Sequence, residues 1–216
     1  MKWSEALRQM PLIAILRGIS VAEAVPVATA LYAAGFRIME VPLNGPNPLE
    51  CISRMASAMK SSVMIGAGTV LSTDDVEKAA SAGAQLVVSP NVEPSVIART
   101  RDRGLISLPG FATPTEAFLA LNAGASALKL FPAQQMGTQG LRAVREVLPP
   151  STHIFPVGGI DASLFPEFLR AGAAGFGIGG TLYKPGKSLD AIRKTAAELV
   201  DSYKVLASVA DTSIRA

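Results

Sequence analysis

A single-domain (β/α)8 barrel is the fold predicted for this chain, and three observations predict it. Eight short apolar runs alternate with eight amphipathic stretches, the rhythm that buried parallel strands and their crossover helices produce. Helical stretches end repeatedly on glycine and pass straight into the next apolar run, at Ala34-Gly35, Ala82-Gly83, Ala123-Gly124 and Ala171-Gly172, with Arg103-Gly104 in between. Glycine just past the last turn is a standard helix stop. The length, 216 residues, lies near the short end for eight β-α units and leaves little room for another domain.

The elements follow in order. The first strand, 12–17, is Leu12-Ile13-Ala14-Ile15-Leu16-Arg17, and the helix 21–34 after it stops at Gly35. Strand 36–43 carries one acidic residue, Glu40, and is followed by helix 47–59. Strand 63–69 ends in Gly66-Ala67-Gly68-Thr69; Ser72-Thr73-Asp74 then opens helix 73–82 with a cap signal. Strand 85–89 leads to helix 93–103, and strand 105–109 to helix 114–123, which Thr113-Pro114-Thr115-Glu116 opens. Strand 127–131 is apolar except for Lys129, and helix 138–147 follows. Strand 154–158 with helix 161–171, then strand 175–179 with helix 188–207, complete the set, and a flexible tail is expected from about residue 209. The competing fold is a doubly wound open sheet, which would want Gly-x-Gly-x-x-Gly after a strand and an acidic residue further on. Gly66-Ala67-Gly68 supplies only the first half of that pattern.

Composition narrows the function. Hydrophobic residues make up 49% and charged ones 17%, with 19 Gly and 15 Pro, so a disordered or coiled chain is excluded and many short elements joined by tight turns are expected. A net charge of +3, its Lys and Arg scattered, argues against a nucleic-acid partner and suits a small anionic substrate. Cys51 and His153 are each the only residue of their type. One of each cannot make a Cys/His metal cluster, and with the single His153 read as structural, Ser-His and Cys-His pairs are set aside, which leaves acid-base work to Lys, Glu, Asp, Tyr or water. His153, just ahead of a strand, reads as structural. No apolar run has signal-peptide form or membrane-spanning length, so a soluble cytoplasmic protein without a membrane partner is expected.

In a barrel of this kind the chemistry lies at the C-terminal ends of the strands. Strand alternation sets Ile15 with Arg17, Ile38 with Glu40, and Ala127 with Lys129 and Phe131. Arg17, Glu40, Thr69 and Lys129 are thus expected to converge, buried, on one mouth. A lysine among apolar residues either snorkels to water or has its pKa lowered by burial, and in the second case it supplies the neutral amine that forms a Schiff base with a ketone. Glu40 can then shuttle protons, Arg17 can hold a carboxylate and Thr69 can offer a hydroxyl. Gly158-Gly159 and Gly179-Gly180, after the last two strands, stand where this fold usually binds phosphate through backbone N–H groups. A phosphorylated 2-keto acid fits such a site. A phosphosugar isomerase or epimerase would use the same glycines and Glu40 without an imine, and a sugar-phosphate binding module would turn nothing over.

The segments Leu12 to Gly18, Glu40-Val41-Pro42-Leu43-Asn44, Ile65 to Val70, Ser89-Pro90-Asn91, Pro109-Gly110, Lys129-Leu130-Phe131-Pro132 and Val157-Gly158-Gly159 closely resemble the class I 2-keto-3-deoxy-6-phosphosugar-acid aldolases over essentially the whole chain. The resemblance implies that Lys129 is the Schiff-base lysine and Glu40 the general acid/base. It places Arg17, Thr69 and Phe131 around the pyruvate carboxylate, with Pro90 also against the substrate. Gly158, Gly159, Gly179, Gly180 and Thr181 fall around the phosphate. It also implies a homotrimer that needs neither cofactor nor metal. Within the family, gluconate enzymes tend to carry Thr-Leu-Arg after the strand-2 glutamate and Thr before the Gly-Gly pair, whereas this chain has Pro42-Leu43-Asn44 and Val157. That resembles the galactonate branch, which reversibly cleaves 2-dehydro-3-deoxy-6-phosphogalactonate to pyruvate and glyceraldehyde 3-phosphate; the gluconate epimer is the alternative substrate.

Overall fold

Nine parallel strands, two of them halves of one interrupted strand, alternate with helices along the chain in a computed structural model that describes the backbone of residues 1–214 and the side chains of residues 1–208. A six-stranded sheet contains β1 (Leu12–Ile15), β2 (Ile38–Pro42), β3 (Met64–Gly68), β4 (Leu86–Val88), β5 (Ile106–Leu108) and β9 (Phe176–Ile178), in the order β5-β4-β3-β2-β1-β9. A three-stranded sheet runs β6 (Gly110–Phe111), β7 (Leu128–Leu130), β8 (Ile154–Pro156). The expected strand 105–109 is thus split into β5 and β6 at Pro109, which has no N–H to donate to a ladder. The Pro109 carbonyl instead accepts from the Lys129 N–H at 2.9 Å. At the other edge a bridge between Val157 and Gly177 links β8 to β9. Two curled parallel sheets therefore meet along both edges.

Strand parity divides the apolar residues into two cores. One face of each strand supplies Leu12, Ala14, Met39, Ile65, Val87, Leu128, Phe176 and Ile178, which pack under the helices. The other face supplies a smaller inner cluster of Ile13, Ile38, Met64, Leu86, Leu108, Ala127 and Phe155. Both faces of the strands are buried, save at the half-buried Ile106 of β5, so the strands read as unbroken apolar runs rather than as an alternation. A short helix, α1 (Trp3–Gln9), closes one end of the inner cluster with Ala6, Leu7 and Trp3, the last tilted against Phe155 at 5.9 Å. Seven residues give too little periodicity to announce a helix in the sequence.

The helices largely keep the expected bounds. α2 (Val21–Ala34), α3 (Pro48–Met59), α4 (Thr73–Ser81), α5 (Pro94–Asp102) and α6 (Pro114–Asn122) follow β1 to β6, and Ser72 and Thr113 make the cap bonds their sequences promise. The five helix-ending glycines, Gly35, Gly83, Gly104, Gly124 and Gly172, all take positive φ. α7 begins earlier than expected, spanning Ala133–Val147, but Gly137 breaks it (φ 61°, ψ −177°), so the regular part begins where the sequence places it. The stretch 161–171 is a 3-10 turn, Ala162–Leu164, followed by α8 (Phe165–Arg170). α9 (Leu189–Ile214) runs past 207; whether the tail from about 209 is flexible lies outside the residues described with side chains.

Candidate active site

Glu40 and Lys129 take up inner-face positions that are otherwise apolar. Glu40 is paired in register with Ile15 of β1 and Gly66 of β3, Lys129 with Gly110 of β6 and Phe155 of β8. The two therefore come from different sheets and face into the same interior. Glu40 is 2% exposed and Lys129 6%. Both are displaced from their ordinary ionisation: burial raises the Glu40 pKa to about 7, a shift that the charges of Lys129 and Arg17 reduce. Burial likewise lowers the Lys129 pKa, opposed by Glu40 and assisted by Arg17. Desolvation is thus the largest cause at both groups, as expected for charges held in low dielectric.

Neither group is neutralised by a contact. Every ion pair among the described residues involves partly exposed side chains elsewhere. The Glu40 Oε2 is buried without a hydrogen-bond partner, and the Lys129 ammonium lies 4.5 Å from the centroid of the Phe131 ring. A buried oxygen left unbonded costs about 1–3 kcal/mol. A catalytic role is one of the reasons for which such an arrangement is kept. A lysine whose pKa is lowered by burial gives up its proton more readily and so offers the amine that adds to a carbonyl, and a carboxyl titrating near 7 can give and take protons at neutral pH.

Gly68 makes the space for this carboxylate. A Cβ at that position would overlap the Glu40 carboxyl, although the backbone there would accept a side chain. The sequence offers only a Gly-Ala-Gly run, and nothing in it shows which glycine the glutamate needs. Gly68→Ala should therefore push the carboxylate aside and lower kcat by about 10²-fold, within the usual worth of acid-base catalysis, with the fold retained by circular dichroism. Wild-type kcat in that variant would mean that the carboxylate does not have to sit there.

Arg17 and Thr69 depart from the expected buried set. β1 ends at Ile15 and β3 at Gly68, so both residues fall on loops beyond the strands. Arg17 is exposed and Thr69 half-buried at φ 55°. The Arg17 guanidinium is held by the side-chain oxygen of Asn44, at 2.8 Å. Asn44 was legible only as part of a motif, since nothing in the sequence pairs it with Arg17.

A cavity of about 840 Å³ opens beside the pair, and Ile15, Arg17, Phe131 and Val157 line it. Gly158, Gly159, Gly179, Gly180 and Thr181 line it as well, so eight of the twelve predicted residues share the cavity; Thr69 and Pro90 do not line it, and neither do Lys129 and Glu40 themselves, which lie behind Phe131 and Ile15. Gly158 and Gly159 have φ of 105° and 64°, which a side chain would resist. The Thr181 hydroxyl donates to the Ile160 carbonyl at 3.1 Å and so ties the two glycine loops together. Lys184 and Tyr183 also line the cavity, and sequence reasoning passed over both. His153 is exposed at the start of β8, remote from the Val157 end of that segment. Among the described residues no three His, Cys, Asp or Glu side chains gather as a metal site would need.

A buried lysine and a buried glutamate thus enter one interior from the middle of two parallel strands, and the relatives of this chain are named as aldolases. The family model for KDPG and KHG aldolases matches residues 4–197, and the chain belongs to that family. It is 45% identical over 195 residues to a probable 2-dehydro-3-deoxy-6-phosphogalactonate aldolase of Rhizobium meliloti, covering 90% of this chain and 92% of the relative. It is 42% identical over 204 residues to the 2-dehydro-3-deoxy-6-phosphogalactonate aldolase of Escherichia coli K12, with coverage of 94% and 98%. A solved structure described as native KDPGal superposes with a TM-score of 0.91 at 42% identity, covering 93% of this chain and 97% of that one.

Proposed function

We propose that the protein is a Schiff-base aldolase that reversibly cleaves 2-dehydro-3-deoxy-6-phosphogalactonate to pyruvate and glyceraldehyde 3-phosphate. The observation that carries this reading is the unpaired, desolvated Lys129 facing Glu40 beside a cavity walled by two glycine loops. The neutral Lys129 amine adds to the C2 ketone, and loss of water leaves an iminium. The C4 hydroxyl gives up its proton, the C3–C4 bond breaks, and its electron pair flows through C3 and C2 to the iminium nitrogen. An aldehyde departs and an enamine remains. C3 then takes a proton, and the water lost earlier is returned in hydrolysis, which frees pyruvate and the amine. Glu40 carries the protons, through water where reach requires it. Arg17, steadied by Asn44, holds the carboxylate with Thr69, and Phe131 packs beside it, with Pro90 behind.

The phosphate goes to Gly158, Gly159, Gly179 and Gly180, whose bare backbone lets N–H groups approach it. Binding energy gained there positions the reacting carbons. The two sheets, joined at Pro109 and at Val157–Gly177, are taken to close into one (β/α)8 barrel. The protein is taken to be cytoplasmic, and the resemblance implies a homotrimer; Phe118 and Leu119 of α6 are neighbouring exposed apolar side chains of the kind a subunit contact uses.

Val157 carries the choice between epimers. It is 7% exposed, lines the cavity and shares the inner face with Phe155. Valine offers no hydrogen bond, so a substrate whose C4 hydroxyl points at this wall loses about 1–3 kcal/mol while its epimer does not. Val157→Thr should raise kcat/KM on the gluconate epimer relative to the galactonate one by roughly tenfold, the worth of one hydrogen bond. An unchanged ratio, or a wild type that prefers gluconate, would remove the basis for the galactonate assignment.

A further inference from the structure

Two lysines stand at the second glycine loop, and they are in opposite states. Lys187 is fully committed: its ammonium donates to the carbonyls of Thr181 and Leu182 and to the Thr195 hydroxyl, each at 3.0 Å. Three donors meet three acceptors, so none is left for a ligand. It braces the loop by its carbonyls.

Lys184 is uncommitted. Among the described residues its side chain has no hydrogen-bond or ion-pair partner, it is exposed, and it lines the cavity. Its stem runs beside Gly180, where a Cβ would stand 3.2 Å from Lys184 Cε. The acidic groups nearby are otherwise engaged: Glu23 binds Ser20 and the Tyr183 hydroxyl, and Glu198 acts on Lys187 and lies 4.0 Å from Lys194. Arg17, the other cation of this wall, is held by Asn44 on the Glu40 side. A positive charge without a partner among the described side chains, placed beside Gly180 on a cavity wall, suits an anionic group of a ligand.

We infer that Lys184 is a specificity residue which, with Gly180, recognises the dianionic phosphate of the substrate. This rests on the aldolase reading above. A phosphate monoester is mostly dianionic above pH ~6, and an ammonium on a flexible stem can follow it as a point charge. Because the lysine is exposed, its attraction weakens with salt.

The test compares kcat/KM for 2-keto-3-deoxy-6-phosphogalactonate and for the unphosphorylated acid, at low and high ionic strength, in wild type, Lys184→Met and Lys184→Arg. Lys184→Met should lower the ratio of phosphorylated to unphosphorylated efficiency about tenfold, through KM rather than kcat, with Lys184→Arg restoring most of it. Inorganic phosphate should inhibit the methionine variant correspondingly less, and added salt should narrow the wild-type ratio more than the variant's. Equal losses on both substrates, or none, would overturn the role of Lys184. A wild type that treats both substrates alike would instead overturn the phosphate assignment itself, and borohydride trapping of pyruvate by the methionine variant separates either result from misfolding.

Discussion

Lys129→Met is expected to abolish cleavage of 2-dehydro-3-deoxy-6-phosphogalactonate while the protein stays folded. Methionine fills nearly the volume of the lysine stem and is at ease in an apolar interior, and the site it enters is 6% exposed and bordered by Leu128 and Leu130. Removing the lysine takes away a charge that favours ionised Glu40, and Glu40, whose pKa burial already raises to about 7, answers by keeping its proton rather than by standing as a lone buried charge. What disappears is the nucleophile. Without an imine there is no electron sink for the C3–C4 bond, and among the described residues the one lysine that lines the cavity, Lys184, stands on the second glycine loop. Turnover above the uncatalysed background, measured by coupling pyruvate release to a dehydrogenase, would show that the imine forms elsewhere or not at all.

Glu40→Gln separates imine formation from proton transfer. The amide keeps the shape of the carboxyl against Gly68 and removes its titration. kcat should fall about 10²–10⁴-fold, the usual worth of general acid-base catalysis, while pyruvate still forms its imine. In wild type the acid limb of kcat/KM should lie near the Glu40 pKa of about 7, and the variant should lack that limb. Stability carries the same signature. The folded-state pKa of Glu40 lies above its ordinary value of 4.5, so the folded protein holds a proton that the unfolded chain releases between those two pH values. Wild type should therefore lose stability relative to Glu40→Gln as pH rises from 4.5 to 7, by about 3 kcal/mol in all, and the difference should level off above 7. Parallel denaturant titrations of the two proteins from pH 4 to 8 read this out; a constant difference would place Glu40 in water.

The parts legible in the sequence were those set by one element at a time. Apolar runs and helix-ending glycines located each strand because parallel strands bury both faces, and the parity of Ile38 with Glu40 and of Ala127 with Lys129 put both groups on the inner face where they are found. What required two elements was not legible. Arg17 continues the parity of β1, but the strand ends at Ile15 and the guanidinium turns out to Asn44, a partner 27 residues away. Gly68 serves a side chain on the neighbouring strand, and Lys187 braces carbonyls of Thr181 and Leu182 that come before it in the chain. Pro109, which splits a strand, was visible as a residue but not as an interruption, because whether its missing N–H matters depends on which neighbour would have accepted it.

The central claim is that Lys129 forms the imine. The direct measurement is borohydride reduction of the wild-type protein in the presence of pyruvate, followed by digestion and mass analysis of the peptides. The predicted result is one reduced pyruvate adduct, on Lys129, absent from Lys129→Met and retained in Glu40→Gln. An adduct on another lysine, or no adduct under conditions where the enzyme turns over, would contradict it.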